Sequence, residues 1–311
     1  MKTPLVSVIV PCFNSEAHIA ETIESILVQT HKNVEIIVVD DGSTDNTRRI
    51  VKKYTPHVRL ICQKNTGVCS ARNIGLKESS GEFVCFMDHD DYWYPEKLSR
   101  QINTFSEHPE AGAVYTSFLV WNADQTGAFP PPSSFLRESI PDMVDPEYSG
   151  WIYHHFLMDC WMLTSTAMFR KNTFSLCGGA FDENLPYSED WELWLRMSRH
   201  VQMIKLMRPT TLYRQHKKQG NRTVRSIDYR TNLLTETARK WGLSSKDGRH
   251  VGKRQFLNQL ATYHAGFAIS HLTSGSISIA IKSFAKAWSC SPLRIKYLAY
   301  IPAALLGWKP R

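Results

Sequence analysis

The sequence of 311 residues lacks the patterns that mark several specialised classes of protein. No apolar run approaches the roughly 20 residues of a membrane-spanning helix. The seven cysteines are odd in number and include no C-x-x-C pair, which disfavours a zinc site or a disulfide framework and favours a reducing compartment. The first residues contain no apolar stretch long enough for an export signal. These absences predict a globular protein of the cytoplasm.

Acidic residues are scarce in the last part of the chain. Residues 1–204 contain 17 Lys and Arg against 26 Asp and Glu, whereas residues 205–311 contain 20 against 3. The net charge of +8 therefore conceals an acidic body and a basic C-terminal region. Such a region suits an anionic membrane surface, a phosphate-bearing acceptor or nucleic acid, or it is a solvated basic face. Because no recognisable DNA- or RNA-binding motif accompanies it, we predict no nucleic-acid partner.

The N-terminal part of the sequence alternates between strand and helix patterns. Short apolar runs end at Val10, Val39, Cys62 and Met87, and segments with helical spacing of apolar residues separate them. This alternation predicts an α/β fold in which a largely parallel sheet carries helices on both faces. Ligands of such sheets bind beyond the carboxyl ends of the strands.

Two later regions have different patterns. Residues 122–150 are rich in Pro, Ser, Gly and acidic residues, which predicts a long loop of the kind that often forms a lid. From about residue 225 the spacing of apolar residues is helical. We therefore predict a catalytic domain over residues 1–216 and a basic helical C-terminal region over residues 217–311.

Polar residues cluster where the first two apolar runs end. The first run leads into Pro11, Phe13 and Asn14, and the second leads into Asp40 and Asp41. Two adjacent aspartates that leave a buried strand are costly unless they bind something. One carboxylate can accept a hydrogen bond from the ring N–H of a nucleotide base while the other holds the turn. A plain turn followed by a helix cap is the alternative.

A second acidic cluster follows the fourth apolar run. Asp88 and Asp90 alternate in an extended chain, so both carboxylates can point toward one site. Hard oxygen ligands of this type suit Mg²⁺ or Mn²⁺, which bridge diphosphate oxygens in many transferases. A lone D-x-D pair also occurs on solvated surfaces, so its position after a buried strand matters.

The combined order and spacing of these segments resembles that of family 2 glycosyltransferases. The resemblance covers roughly residues 5–216, and the basic helical region lies outside it. The segments that carry it are Val6–Asn14, Val39–Asp45, Asn65–Val68 with Ala71-Arg72-Asn73, and Asp88–Asp91. That family has the GT-A fold of nucleotide-diphospho-sugar transferases and acts with inversion, which implies the same fold here, extended by C-terminal helices.

The resemblance assigns the nucleotide pocket to the first cluster. Pro11 and Phe13, with Asn14, are implied to line it. Asp41 is implied to accept a hydrogen bond from the base. Asp40 is implied to belong to the donor site by shaping the loop beside it.

The resemblance assigns the donor sugar and the metal to later positions. Arg72 is implied to lie near the nucleotide or the donor, and Asp88 to contact the donor sugar or ribose. Asp90, with Asp88 beside it, is implied to hold Mn²⁺ or Mg²⁺. His216 is implied to contact the diphosphate or to complete the metal shell. For Arg72 the plain alternative is a helix surface charge, and for His216 a surface histidine in a basic run.

The segment from Glu189 to Trp191 is similar to the family's pair of acids at the start of a helix. The second acid of that pair is the catalytic base, which points to Asp190. Glu189 and Trp191 become acceptor-side candidates, although the family often has Asp where this chain has Glu192. We expect the helix N-terminus to keep the Asp190 carboxylate ionised. Charge complementarity with the helix N-terminus alone is the competing interpretation.

These assignments predict an inverting glycosyltransferase that moves a sugar from a nucleotide diphosphate onto an acceptor hydroxyl. A UDP-sugar is the expected donor, and the basic region favours a lipid-linked or polysaccharide acceptor handled in the cytoplasm or at the inner face of the membrane. Two alternatives remain: a catalytically silent nucleotide-sugar-binding protein, and a nucleotidyltransferase, which would need a triphosphate site with basic residues early in the chain.

Overall fold

The chain divides into two compact units. The computed structural model describes residues 3–135, 140–216 and 224–306. The first unit comprises residues 1–152 and 160–216, and the second comprises residues 153–159 and 217–311. The short segment 153–159 groups with the second unit, and the division into a catalytic domain and a C-terminal region stays a prediction.

The first unit is built on one eight-stranded sheet. Its strands are β1 (Val6–Cys12), β2 (Val34–Asp40), β3 (Val58–Cys62), β4 (Phe83–Phe86), β5 (Tyr92–Trp93), β6 (Ala111–Asn122), β7 (Ala167–Arg170) and β8 (Gln202–Gln215). They lie in the order β3-β2-β1-β4-β7-β6-β8-β5. The pairs among β1 to β4 and the pair β6–β8 are parallel, whereas β7 and β5 run antiparallel to their neighbours. The predicted mostly parallel α/β sheet is confirmed, with a mixed second half.

Helices flank this sheet. They are α1 (Ile19–Leu27), α2 (Thr47–Lys52), α3 (Val68–Glu78), α4 (Lys97–Glu107), α6 (Asn172–Leu176) and α7 (Glu189–Met197), while α5 (Tyr153–Phe156) belongs to the second unit. Every residue of β1 is buried, as a central parallel strand covered on both faces requires. The core beneath α1 and α4 is formed by aliphatic and aromatic side chains such as Val8, Ile23, Leu98 and Phe105.

The register of the parallel strands brings three chain segments to one edge of the sheet. Cys12 at the end of β1 lies beside Asp40 at the end of β2, and Ile9 of β1 lies beside Phe86 at the end of β4. The residues that follow each strand therefore emerge next to one another. This edge carries the acidic clusters singled out in the sequence.

The segment after β6 is held to the sheet at two points. Val144 forms an isolated bridge with Leu206, and Gly150 forms another with Met203. A short 3-10 helix spans Pro132–Phe135. The predicted long loop is thus present over most of residues 122–150, and residues 136–139 of it lie outside the described part of the chain. Its action as a lid stays a prediction.

The second unit is helical, as the sequence predicts. Besides α5 it contains α8 (Tyr229–Trp241), α9 (Lys253–Ser274), α10 (Ile277–Cys290) and α11 (Lys296–Leu305). Small side chains fill much of the core between α9 and α10, with Phe284 at 0% exposure among Ala261, Ala265 and Ala280. Alanines at such positions let helices approach closely, which explains why the unit is compact despite few large apolar residues. Among the described residues, no helix is both long and apolar enough to cross a membrane.

Candidate active site

The Asp41 carboxylate closes the loop that leads into α3. Its Oδ1 accepts hydrogen bonds from Gln63 Nε2 at 2.7 Å and from Thr66 N at 2.8 Å, and its Oδ2 accepts one from Gly67 N at 2.9 Å. Gly67 is the residue before α3, so this carboxylate fixes the start of that helix. Asp41 is 4% exposed and stands beside the site, with lone pairs beyond those used by the loop.

Asp40 supports the same loop from the interior. Its side chain is fully buried, and its Oδ2 accepts from Ser43 N at 3.2 Å and from Arg48 Nε at 2.5 Å. The Asp40 carboxylate is buried and its hydrogen bonds are made within the protein, so Asp40 shapes the loop and is not exposed to a donor. Gly42 adopts φ +82°, and a Cβ there would lie 2.8 Å from Asn65 N, so this turn requires glycine.

The end of β1 is fastened to the loop after β2 by Asn14. Its backbone N donates to Ser43 Oγ at 2.9 Å, and its Oδ1 accepts from Thr44 N at 2.9 Å. Asn14 adopts φ 49°, a left-handed conformation that asparagine tolerates better than most residues. Phe13 beside it is 44% exposed and can pack against a base, whereas Pro11 lies buried within β1.

A single buried guanidinium connects the second acidic cluster to the start of α7. Arg72 Nη2 donates to Asp88 Oδ1 at 2.8 Å, and Nη1 donates to Glu189 Oε1 at 2.9 Å. The guanidinium also lies 5.0 Å from the ring centre of Phe181. Burial opposes its charge, but the charges of Asp88 and Glu189 outweigh that effect and raise the pKa of Arg72. Arg72 is thus a buried cation that connects Asp88 to Glu189, and not a charge on the surface of α3.

The segment after β4 forms a turn whose backbone is held on several sides. Ser165 Oγ accepts from Asp88 N at 3.0 Å, Asp91 N donates to Asp88 O at 3.2 Å, and Arg214 Nε donates to Asp90 O at 2.6 Å. Asp91 is 1% exposed, and burial followed by the charges of Asp90 and Asp88 raises its pKa well above the usual range. The Asp91 carboxyl is therefore the member of this pair whose charge the surroundings disfavour.

Asp90 and His216 meet across the site. Asp90 Oδ2 lies 2.7 Å from His216 Nε2. Burial opposes ionisation of Asp90, but the hydrogen bond with His216 and the neighbouring imidazole charges outweigh it and lower the pKa of Asp90. The ring of His18 lies 5.1 Å from that of His216. Burial and the charge of Arg214 lower the pKa of His18 to about 4, so its imidazole is neutral at pH 7.

The Asp90 carboxylate and the His216 imidazole are both groups that can bind Mn²⁺ or Mg²⁺. Because they lie 2.7 Å apart, a cation could replace the hydrogen bond between them. Within residues 3–135, 140–216 and 224–306 no group of three or more His, Cys, Asp or Glu side chains is arranged to hold a metal. Among the described residues, Asp90 and His216 are the pair that can serve as metal ligands here. Cations of this kind commonly take their remaining ligands from substrate phosphates and water, so the donor set fits a metal that arrives with a nucleotide diphosphate.

Asp190 lies in the first turn of α7, directly after Glu189. Ser188 before them adopts φ 63°, and strain at a non-glycine residue often marks a functional turn. Asp190 Oδ1 accepts from Trp191 N at 2.7 Å. Burial, and then the charge of Glu189, raise the pKa of Asp190 to about 7. Burial and a neighbouring negative charge therefore oppose the ionisation that the helix N-terminus is expected to favour.

Comparison with known proteins identifies the family of the chain. The family model for glycosyl transferase family 2 matches residues 7–170. The chain belongs to glycosyl transferase family 2. Among its family 2 relatives, the Escherichia coli UDP-Glc:alpha-D-GlcNAc-diphosphoundecaprenol beta-1,3-glucosyltransferase WfaP is 34% identical over 68% of this chain and 78% of its own length. Glycosyltransferase RT0329 of Rickettsia typhi is 32% identical over 63% of this chain, and the match spans 59% of that relative.

Solved structures share the family 2 fold. Residues 1–349 of Staphylococcus aureus TarS, in complex with UDP-GlcNAc, align with a TM-score of 0.61 at 23% identity, over 97% of this chain and 87% of that one. The mannosyltransferase PcManGT of Pyrobaculum calidifontis, in complex with GDP-Man and Mn²⁺, aligns with a TM-score of 0.55 at 19% identity, over 100% and 82% of the two chains. At these identities the likeness concerns the fold, and it confirms the expected GT-A architecture.

The two acceptor-side candidates have different surroundings in the structure. Trp191 is 3% exposed, so its indole lies in the interior and does not face an acceptor. The reason is helical geometry, since the residue after Asp190 points about 100° away around α7, toward the core. Glu189 Oε1 is bonded to Arg72, and the acceptor-side role of Glu189 stays a prediction.

Several residues of this family 2 site were not found from the sequence. Gln63 and Ser165 bond to the two acidic clusters, and His18 lies beside His216. Arg214 was visible only as part of the segment before His216, yet it is 2% exposed and its guanidinium carbon lies 3.8 Å from the ring centre of Trp121. No local spacing marks such residues, because their partners lie far away along the chain.

Proposed function

We propose that this chain is an inverting, metal-dependent glycosyltransferase that moves a sugar from a UDP-sugar onto an acceptor hydroxyl. The observation that carries the proposal is the double ion pair of Arg72 with Asp88 and Glu189. It joins the turn that contains Asp90 to the helix start that contains Asp190. A donor-binding acid and a base with a pKa of about 7 thereby belong to one site.

Donor binding is assigned to the edge where β1, β2 and β4 end. Phe13 is placed against the base and Asp41 beside it, where its carboxylate can accept from a ring N–H. Asp90 and His216 would hold Mn²⁺ or Mg²⁺ with the diphosphate oxygens. When bound, such an ion offsets the charge that develops on the departing nucleotide diphosphate. Asp88, tied to Arg72, faces the donor sugar or ribose.

Asp190 is assigned the role of general base. The acceptor hydroxyl oxygen attacks the anomeric carbon from the side opposite the diphosphate, and the bond from that carbon to the diphosphate oxygen breaks. The hydroxyl proton passes to the Asp190 carboxylate. A pKa of about 7 suits this task, because a base works best when its pKa lies near the working pH. No covalent sugar–enzyme intermediate is required.

The proposed classes of donor and acceptor are inferred from similar proteins and from the charge of the chain. TarS was solved with UDP-GlcNAc and WfaP acts with UDP-Glc on a lipid diphosphate, which supports a UDP-sugar and a lipid-linked or polysaccharide acceptor. The basic region after residue 204 suits an acceptor that carries phosphate. We therefore place the reaction in cell-surface polysaccharide or glycolipid synthesis, at the cytoplasmic face of a membrane with the protein peripheral to it.

The competing function is a catalytically silent nucleotide-sugar-binding protein. The test combines donor hydrolysis and transfer with the variant Asp190→Asn, and Glu107→Gln on the exposed end of α4 as the control. We expect the Asp190 variant to bind the donor and to lose turnover by about 10²–10⁴-fold. Absence of any turnover in the wild-type protein with a panel of UDP-sugars and acceptors would favour the silent binder.

A further inference from the structure

An open groove in the second unit carries two arginines. Its volume is about 560 Å³, and its lining includes Arg254 and Gln255 near the start of α9, Asn258 and Thr262 one and two turns later, and Arg294 from the segment between α10 and α11. Arg294 is fixed in place, since its Nη1 donates to Thr262 Oγ1 and to the hydroxyl of Tyr297, both at 3.1 Å. A guanidinium has five N–H donors, and these two bonds use one nitrogen.

The second unit is rich in cations and poor in acids. Its segment 153–159 contributes one acid, Asp159, whose Oδ1 accepts from the Tyr263 hydroxyl at 3.0 Å. Residues 217–311 contain 17 Lys and Arg against 3 Asp and Glu. Each of the three acids pairs elsewhere, Asp228 with His264, Glu236 with Arg239 and Asp247 with Arg249. In the described part of the chain neither groove arginine forms an ion pair.

The start of α9 adds to the positive field of the groove. Its first turn contains Lys253 and Arg254 and no acidic residue, and its N-cap Gly252 provides no side-chain hydrogen bond. Cations at the N-terminus of a helix are unfavourable because the helix dipole is positive there. An anion bound at this end would accept hydrogen bonds from the first N–H groups and offset the repulsion between the like charges. The groove therefore suits a phosphate group.

Exposed apolar side chains flank the same arginine in the chain and occur again along α11 and directly after it. The described large apolar side chains with the greatest exposure are Leu306 at 88%, Leu293 at 80%, Ile295 at 75% and Leu305 at 68%. Leu293 and Ile295 directly flank Arg294 in the chain. Leu298, at 46% exposure, lies seven residues before Leu305, so these two occupy one face of α11. Apolar side chains gathered beside cationic groups are typical of a surface that lies in a membrane interface.

We propose that the groove between Arg254 and Arg294 binds the phosphate headgroup of an anionic lipid while Leu293 and Ile295 enter the bilayer. The occupant is a lipid surface rather than a soluble anion, because exposed Leu293 and Ile295 can be buried in a bilayer but gain nothing from free phosphate. The inference rests on the proposed peripheral position at a membrane and not on the transfer reaction. It names the part of the chain that makes the contact.

The test is sedimentation of the full chain with vesicles, without any sugar donor. Vesicles of phosphatidylcholine alone are compared with vesicles that contain about 30% phosphatidylglycerol. We expect Arg254→Gln and Arg294→Gln each to lower binding to the anionic vesicles by about fivefold, and Arg239→Gln, a 77% exposed arginine of α8, by under about twofold. The double variant Leu293→Ser with Ile295→Ser is expected to lower binding to these vesicles by roughly tenfold.

Four outcomes would overturn the proposal. Equal binding of the wild type to neutral and anionic vesicles would remove the headgroup site. If Arg254→Gln and Arg294→Gln bound vesicles as well as Arg239→Gln does, the protein would contact the membrane through another part of its surface. Phosphate binding at the groove, together with vesicle binding that does not change in the Leu293→Ser with Ile295→Ser variant, would make the groove a soluble-anion site. A wild type that ignores vesicles but dimerises until Leu293 and Ile295 are changed would assign the face to a second copy. Because the Arg254 side chain is exposed, Arg254→Gln is expected to stay folded, and thermal unfolding checks this.

Discussion

Replacing Asp190 by Asn is expected to make the protein more stable and inactive at once. In the folded chain the pKa of Asp190 is raised from 3.8 to about 7, because burial and Glu189 disfavour its charge. Above pH 7 the wild type must therefore carry an unfavourable carboxylate that the unfolded chain carries at no cost. Asparagine has nearly the same shape, keeps an oxygen for Trp191 N and cannot ionise.

The size of the effect follows from the pKa. A tenfold change in an acid dissociation constant is worth about 1.4 kcal/mol, so a rise from 3.8 to about 7 sets a ceiling of about 4 kcal/mol. Asp190 keeps part of its surface in contact with solvent, so we expect about 1–2 kcal/mol. For a unit of this size that gain raises Tm by about 2–8 °C.

The stability gain of Asp190→Asn depends on pH. Below about pH 4 Asp190 is protonated in both states, and the variant has no advantage. Between about pH 4 and pH 7 the folded state keeps a proton that the unfolded state loses, so wild-type stability falls as pH rises. The advantage of Asn should therefore appear across this window and level off above about pH 7.

The assay is thermal unfolding at about pH 4.5 and about pH 8.5, together with transfer activity. Glu107→Gln, an exposed acid-to-amide change, should show no pH-dependent gain. The reasoning would be refuted if Asp190→Asn stabilised the protein equally at both pH values, destabilised it at the higher one, or retained near-normal turnover. Wild-type kcat/KM should rise about tenfold per pH unit up to about pH 7.

Three further changes follow from the same site. Arg72→Met should destabilise the chain by about 3–5 kcal/mol in thermal or denaturant unfolding, because it leaves two carboxylates without their buried cation. His216→Ala should weaken Mn²⁺-dependent donor binding by about 10–100-fold in a titration while the metal-free protein stays folded. Gly42→Ala should cost about 2–3 kcal/mol in unfolding free energy, since φ there is +82° and the new Cβ would meet Asn65 N at 2.8 Å.

Each of these variants has a matched control in the first unit. Arg59→Met removes an arginine that is 56% exposed and pairs with Glu78, so its cost should stay under about 1 kcal/mol. His57→Ala removes an exposed imidazole and should leave metal affinity unchanged. Gly127→Ala carries the same backbone strain at φ +89° with nothing within 4 Å, so it should cost less than Gly42→Ala. Equal effects of a variant and its control would contradict the corresponding prediction.

The parts of the fold set by local pattern were predictable from the sequence. The apolar runs that end at Val10 and Val39 are β1 and β2, and the acidic clusters follow strands as expected. The helix start at Glu189 was also read correctly, because acidic residues open an amphipathic segment there.

The electrostatic state of the site was not predictable in the same way. The pKa of Asp190 depends on burial produced by the whole unit, and the helix dipole that the sequence reveals is the weaker effect. Trp191 was an acceptor-side candidate because it follows the predicted base, yet its indole is buried. The pairing of Arg72 with Glu189 spans 117 positions along the chain, and no spacing rule connects residues so far apart.

Donor titration with and without Mn²⁺ tests the central claim most directly. The account predicts that UDP-GlcNAc, or whichever UDP-sugar binds, raises Tm in the wild type only with the metal present, that Asp90→Asn abolishes this response, and that Asp190→Asn keeps it. A donor response that is equally strong in Asp90→Asn, or one that does not change when the metal is removed by chelation, would contradict it.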